Sequence, residues 1–453
     1  MKRRKRTSNT VDRERETIKV PTSAIGLHSL PLEVWHIVLE NAPKPTLLAC
    51  SRLSRAWREL ALPHLFASFD LCQNSGNVAD ICEEFIDAYP HLARYIRRLR
   101  LVRRDRWFMV SSNGRPVMVD HNLLVTLLTR LPCLEEVYLR SLGISTASQP
   151  RSLDVPLSRR LKKLHVVDCY DAGSGNTSST DLRTLLDLAG AVPVEIIQFE
   201  MFSVERRKDK PVTTPSLRLL DPRAFQFDMR CDVYYRRDQD LSWVCDVLRA
   251  AFAPRCLTSL RMSQWILGGD IDALRRLGRF IAHACSRTMQ HLSLPVMINS
   301  AVASAHDTSD KEEFWRVLHL HRFDSIETFE CSLALPALGT NPGSDGAPRV
   351  PLSAVCVAIL ALLPSTLRKV TIILWEAKEG SQVKSKWLLD LGALDVALEA
   401  RAPVLETVRL VFHGDWYLIE FATEATKAMS RCKKRGMFEV VDWFYHTREM
   451  QTA

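Results

Sequence analysis

The sequence predicts an α/β chain: a short all-helical module first, then a long array of units, each of one strand and one helix, with the strands parallel. Three observations predict it. A six-residue pattern of apolar, two polar, apolar, one polar, apolar recurs nine times between Ile96 and Leu410. Stretches of helical periodicity lie between the copies. Residues 27–66 hold three short amphipathic stretches and no alternating run.

The helical module comes first. Leu30-Pro31 opens it, and proline suits the first turn of a helix, where its missing N–H costs nothing. Leu30, Val34, Ile37 and Val38 share one helical face; Leu32, Trp35 and Leu39 share another. A short helix that is apolar on two faces cannot bury both against one small neighbour. One face is therefore expected inside the module and the other against a partner. Pro43 and Pro45 are expected to end this helix. Thr46 is expected to cap a second helix, Leu47 to Ser54. A third follows from about Arg55, carrying Trp57, Leu60 and Ala61 toward Leu65-Phe66. So small a core needs support from a partner or from the rest of the chain.

This run resembles an F-box, the helical module that docks on the Skp-type adaptor of cullin-RING ubiquitin ligases. The matching residues are Leu30, Pro31, Glu33, Val34, Ile37 and Val38, then Leu47, Leu48, Cys50, Leu53, Ser54, Arg55 and Trp57, then Leu60-Ala61 and Leu65-Phe66. Glu40 to Thr46 departs from the family, being short and holding two prolines. The resemblance implies that Leu30, Pro31, Glu33, Val34, Ile37, Val38, Leu47, Leu48, Leu53 and Trp57 bind the adaptor, and through it a cullin.

The repeated pattern starts at Ile96, Leu134, Leu161, Val194, Leu257, Met289, Phe323, Leu367 and Leu405. Its alternating half reads as a short strand with one buried face. The gap of 63 residues after Val194 is about twice its neighbours, so one unit is expected inside it, with Leu217 to Leu220 as candidate. Candidate helices are Val78–Tyr89, His121–Leu131, Asp181–Leu188, Leu241–Phe252, Ile271–Cys285, Glu312–Leu320, Leu352–Leu363, Trp387–Ala400 and Tyr417–Arg431. Asp181, Asp240, Asp270 and Asp310 stand where capping residues belong. The strand pattern resembles the LxxLxL start of a leucine-rich repeat. With the helical module it resembles an F-box protein of the fungal type. The resemblance implies an irregular leucine-rich-repeat-like α/β solenoid with a curved parallel sheet. The family's ninth-position Asn or Cys is met only by Cys169, so an asparagine ladder is not expected. The alternative is a mixed α/β domain with ordinary βα units. The expected organisation is a disordered basic tail over 1–26, the F-box-like module over 27–70 and the solenoid over 71–453. Exposed loops are expected over Ser145–Ser158, Tyr170–Thr180, Ser203–Pro215 and Leu338–Val350.

Net charge is +9, but the first 19 residues carry +5 of it, so basicity is mainly a property of the tail. The folded body is not expected to bind nucleic acid. Lys2 to Arg6 has the composition of a nuclear import signal. The longest apolar run, Ala354 to Leu363, is too short to span a bilayer, so no membrane partner is expected. The twelve cysteines include no CxxC pair, and no apolar signal region follows the basic start. Reduced, mostly buried thiols of an intracellular protein, cytoplasmic or nuclear, are the expectation.

No catalytic constellation emerges. Gly173-Ser174-Gly175 lacks a third glycine and no GK[ST] follows, so no phosphate cradle is supported. There is no GxSxG elbow. His319 and His321 have no further ligand at zinc spacing. No enzyme, cofactor or metal is expected. Two readings remain. One is a substrate-recognition subunit of an SCF-type (Skp–cullin–F-box) ubiquitin ligase, its repeats holding a protein substrate. The other is a nuclear interaction scaffold without a ligase. In an LxxLxL unit the residues flanking the middle apolar one face away from the core. On that face Arg98, Arg100, Lys163, Arg261, Lys369 and Arg409, with His165, outnumber Glu136 and Glu327. They form a basic strip suited to an acidic or phosphorylated partner; the alternative is a merely solvated face.

Overall fold

The computed structural model describes residues 30–73, 78–103, 118–145, 159–171, 180–202, 219–229, 242–263, 271–298, 315–335, 352–376, 390–401, 403–413, 418–443 and 446. The basic tail, the import-like run, Asp240, Asp270, Asp310 and most of the four expected loops lie outside these residues. The chain divides into two compact units, Met1–Leu65 and Phe66–Ala453. The boundary falls a few residues before the expected one, because the chain enters a strand at Ser68.

The first unit holds α1 (Leu32–Glu40), α2 (Lys44–Leu53) and α3 (Arg55–Leu65). Pro31 stands immediately before α1, as expected. The prolines between α1 and α2 act differently from expectation. α1 already ends at Asn41, whose side-chain amide donates to the Ile37 carbonyl. Pro43 is the residue before α2 and Pro45 lies in its first turn, where no N–H is needed. The second helix therefore starts at Lys44, and Thr46 is inside it, not its cap. Ser54 Oγ accepts from the Trp57 N–H at 3.2 Å, which caps α3.

The second unit is a mixed α/β fold. Its strands are β1 (Ser68–Gln73), β2 (Arg98–Arg103), β3 (Met118–Val119), β4 (Glu136–Arg140), β5 (Gly143–Ile144), β6 (Leu161–Val167), β7 (Tyr170–Asp171), β8 (Val194–Phe202), β9 (Ala224–Met229), β10 (Ser259–Ser263), β11 (His291–Ile298), β12 (Thr328–Leu335), β13 (Lys369–Glu376), β14 (Thr407–His413) and β15 (Phe438–Asp442). Twelve form one sheet in strict chain order, skipping β3, β5 and β7, which make a small sheet of their own. Every pairing is parallel. β4 and β6 each end in a left-handed residue, Ser141 and Asp168, after which the chain enters the small sheet.

Helices α4 (Val78–Ala88), α5 (Pro90–Ala93), α6 (His121–Arg130), α7 (Leu182–Gly190), α8 (Ser242–Ala251), α9 (Ile271–Ala284), α10 (Leu352–Ala361), α11 (Leu391–Glu399), α12 (Leu418–Ala428) and α13 (Ser430–Lys434) lie between strands, singly or in pairs. Asp181 caps α7 as expected, accepting from the Arg183 N–H at 3.0 Å. Asp120 and Asp390 cap α6 and α11 in the same way. Buried Asp395 on α11 accepts from the N–H groups of Arg431 and Cys432 at 2.9 and 3.0 Å, fixing the start of α13. The candidate helix at Glu312–Leu320 is described only from Trp315, where one turn leads into a 3₁₀ turn at Leu320–Arg322.

The middle apolar residue of each unit faces the core. Val137, Leu164 and Leu292 are all essentially inaccessible, and one apolar cluster runs from Cys82 to Met437. The register carries this through the sheet: Leu99, Val137, Leu164, Ile197 and Phe225 are successive partners. Two expected positions are corrected. The unit inside the long gap is β9, with Phe225 and Phe227 inward, not Leu217 to Leu220. The unit read from Phe323 is framed three residues later: Ile326, Phe329 and Cys331 are its inward residues, so Thr328 and Glu330 replace Ser325 and Glu327 on the outward face. β1 and β15 carry further units that the pattern search did not include.

Gly278 shows how tightly the helices approach. A Cβ at this position of α9 would lie 1.7 Å from the Val317 carbonyl oxygen. In an open helix Gly→Ala gains about 1 kcal/mol. Here the obstacle is backbone and cannot rotate away, so Gly278→Ala should lower stability by about 1–3 kcal/mol. Chemical denaturation measures this; a variant as stable as the wild type would contradict the packing.

Candidate interaction surfaces

The first surface is the apolar face of the three-helix unit. Its interior is small: Leu39, Leu47 and Ala61 are buried, and Trp57 is half-buried with its ring edge-on to Trp35 at 4.9 Å. His36 Nδ1 and His64 Nε2 are 2.9 Å apart, tying α1 to α3. The other apolar side chains remain outside. Leu30, Leu32, Val34, Ile37, Val38, Leu48 and Leu53 are all exposed, Ile37 at 61% and Leu53 at 68%. Leu30, Val34, Ile37 and Val38 share one side of α1 by helical spacing, and an exposed apolar face of this kind is a candidate contact surface.

Of the residues expected to bind an adaptor, Leu30, Pro31, Glu33, Val34, Ile37, Val38, Leu48 and Leu53 are exposed. Trp57 shapes the unit from its half-buried place against Trp35. Leu47 is a core residue at 4% exposure, so its part is packing, not surface. Neighbours on a helix are turned about 100° apart, which is why Leu47 points in while Leu48 points out. Leu32 is exposed as well, on the other side of α1.

The second surface is the outward face of the long sheet. On β2, Arg98 and Arg100 are exposed. Arg98 Nε lies 3.6 Å from Glu136 Oε2, and the Arg100 guanidinium stands 4.7 Å from the Tyr138 ring centre. Tyr138 meets His165 edge-on at 4.8 Å. His165 Nε2 is 3.2 Å from Glu200 Oε2, and Gln198 donates to the other carboxylate oxygen. Lys163 is half-buried beside them. Arginine, tyrosine, histidine and lysine thus share one cluster across β2, β4, β6 and β8.

Farther along, carboxylates appear. Gln226 donates to Asp228 at 2.9 Å, Ser293 Oγ donates to Glu330 at 2.8 Å, and buried Arg409 pairs with Glu439. Arg261 and Lys369 are half-buried. The expected largely basic strip is therefore corrected. Asp70, Glu200, Asp228, Glu330 and Glu439 lie on outward positions in register with it. Most of them sit on strands that the sequence pattern missed or framed wrongly. At the β2 end Arg98 and Arg100 are the exposed cations, offset in part by Asp70 and Glu136.

Glu200 offers a titration test. Burial pushes its carboxyl up, but the hydrogen bond and charge of His165, the Gln198 amide and the Lys163 charge outweigh this and hold it below the free value of 4.5. Such a group contributes stability above pH 4.5 that is lost as pH falls through its lower folded value. Glu200→Gln should therefore be less stable than wild type at neutral pH, and the gap should close in acid. Denaturant midpoints across pH measure it; a gap that stays constant would contradict the assignment.

No described helix is long and apolar enough to cross a membrane. Comparison with curated proteins gives no match. Comparison with protein families places an F-box domain at residues 27–66, the stretch that carries α1 to α3 and their exposed apolar face.

Proposed function

We propose that this chain is the substrate-recognition subunit of an SCF-type ubiquitin ligase. In this reading the F-box unit docks on a Skp-type adaptor, and through it on a cullin, while the second unit holds a protein substrate. The observation that carries it is the F-box match over 27–66 together with the unburied apolar face of α1 and α2. F-box domains bind Skp-type adaptors, and Leu30, Leu32, Val34, Ile37, Val38, Leu48 and Leu53 supply the apolar area that such docking would cover. The ligase reading implies an intracellular protein.

The second unit is read as an irregular leucine-rich-repeat-like solenoid. Supporting this, the twelve strands of the long sheet are parallel neighbours in chain order, and helices stand between most of them. Leu142, Trp375 and His413 hold the place where the family keeps its asparagine, so the repeats are irregular. The outward face of such a sheet is the substrate surface, and the cluster of Arg98, Arg100, Tyr138 and Lys163 suits an acidic or phosphorylated segment.

Ile37→Asp places a carboxylate in the centre of the adaptor face without touching the core. It should weaken adaptor binding by about 2 kcal/mol or more, roughly thirtyfold. Titration calorimetry on a co-expressed Skp-type adaptor measures it. A wild-type chain that captures no adaptor would end the ligase reading and leave the scaffold.

On the substrate side, the joint reversal Arg98→Glu, Arg100→Glu, Lys163→Glu should remove acidic or phosphorylated proteins from the set that co-purifies with the chain. The variant must keep its melting temperature and its adaptor. An unchanged set of partners would exclude this cluster as the substrate contact.

A further inference from the structure

After β15, described side chains of the following segment lie on the outward face of strands that precede it. The Trp443 ring stands 5.0 Å from that of Trp375 on β13, at 60°, and 5.4 Å from His413 on β14, at 66°. Trp375 and His413 are register partners, with rings stacked at 4.0 Å. Three residues on, His446 Nε2 is 3.4 Å from Glu330 Oε2 on β12, 116 positions earlier in the chain, and His446 is only 2% exposed. Two described residues after the last strand, Trp443 and His446, thus meet strands as far back as β12. The outward residues in register with Glu330, Thr371 and Arg409, are buried, whereas Arg98 and Arg100 at the far end are exposed.

We propose that the outward face of β12, β13 and β14 is a peptide-binding site, occupied here by the chain's own segment through Trp443 and His446. Its partner in trans is a peptide with an aromatic anchor and, three residues on, an imidazole or cationic group. This deepens the reading of the sheet face as the substrate surface and rests on it. The chemistry is complementary at both ends: an aromatic slot at Trp375 and His413, and a carboxylate at Glu330. The indole N–H of Trp375 is buried without an acceptor among the described residues, and a bound main chain would supply one. The described contacts are between side chains, and the parallel ladder of β12, β13 and β14 is complete without them. Glu330 keeps Ser293 as donor and the nearby Arg261 charge when His446 leaves. The segment therefore closes the site in cis and yields to a competitor.

The test uses the full-length chain and a fluorescent peptide of residues 443–453 as probe. Wild type should bind it weakly, because the site is filled. The double variant Trp443→Ala, His446→Ala should melt as wild type and bind the peptide at least tenfold more tightly. Adding Glu330→Gln should cost that variant most of the gain. A double variant that binds no better than wild type overturns the proposal, as does binding indifferent to Glu330→Gln. A double variant that melts early or fails to fold also overturns it, since the segment would then be a fixed part of the core. The assay contains no adaptor, so its failure and a failure of adaptor binding are read separately.

Discussion

The second unit depends on one constraint: each strand is hydrogen-bonded in parallel to the strand of the next unit, with most pairings unshifted. Because side chains alternate across a strand, a slip of one residue would exchange core and surface along its whole length. The chain avoids this by placing apolar residues, mostly large ones, at the inward positions of its units. Phe199, Phe225 and Phe227 form one ring-to-ring cluster across two such strands, at 6.0 to 6.2 Å. Once the register is held, the outward residues have no freedom of placement. Arg100 must stand beside Tyr138, and Tyr138 beside His165.

The same constraint separates the two kinds of surface. In the sheet, the outward positions carry many polar side chains that pair across strands, among them Arg98 with Glu136, His165 with Glu200 and Arg409 with Glu439. In the helical unit no ladder exists, and a forty-residue stretch cannot enclose all its apolar side chains. Trp35, Trp57 and Leu39 use the available interior, and Ile37 and Leu53 are left to be covered by something else. Under the proposed function, the excess apolar area would be the dock for one partner and the charged face the contact for another.

Much of this was legible in the sequence, for reasons that differ by element. The two-faced first helix could be read from spacing alone, and its exposed residues are largely those that the family resemblance named. Leu47 faces inward, a distinction that motif matching does not make within an adjacent leucine pair. The strand pattern located most units, but it is ambiguous wherever apolar residues also occur three apart. Phe323, Ile326 and Phe329 are all buried, so two frames fit equally and the wrong one was taken. In β9, Pro222 fills the first apolar position and disguises the unit. Those framing errors changed the electrostatics, because Glu330 and Asp228 were left off the outward face. The return of Trp443 and His446 across the sheet had no local signal, since a contact over 116 positions follows from the fold alone.

The central claim is that the helical unit is an adaptor dock and the sheet a separate binding surface. Hydrogen exchange on the full-length chain, alone and with a Skp-type adaptor, tests both halves in one measurement. Exchange should slow across 30–57 on adaptor addition, while the strands from Ser68 to Asp442 keep their free rates. Protection in the strands, or none in the helices, would contradict the account.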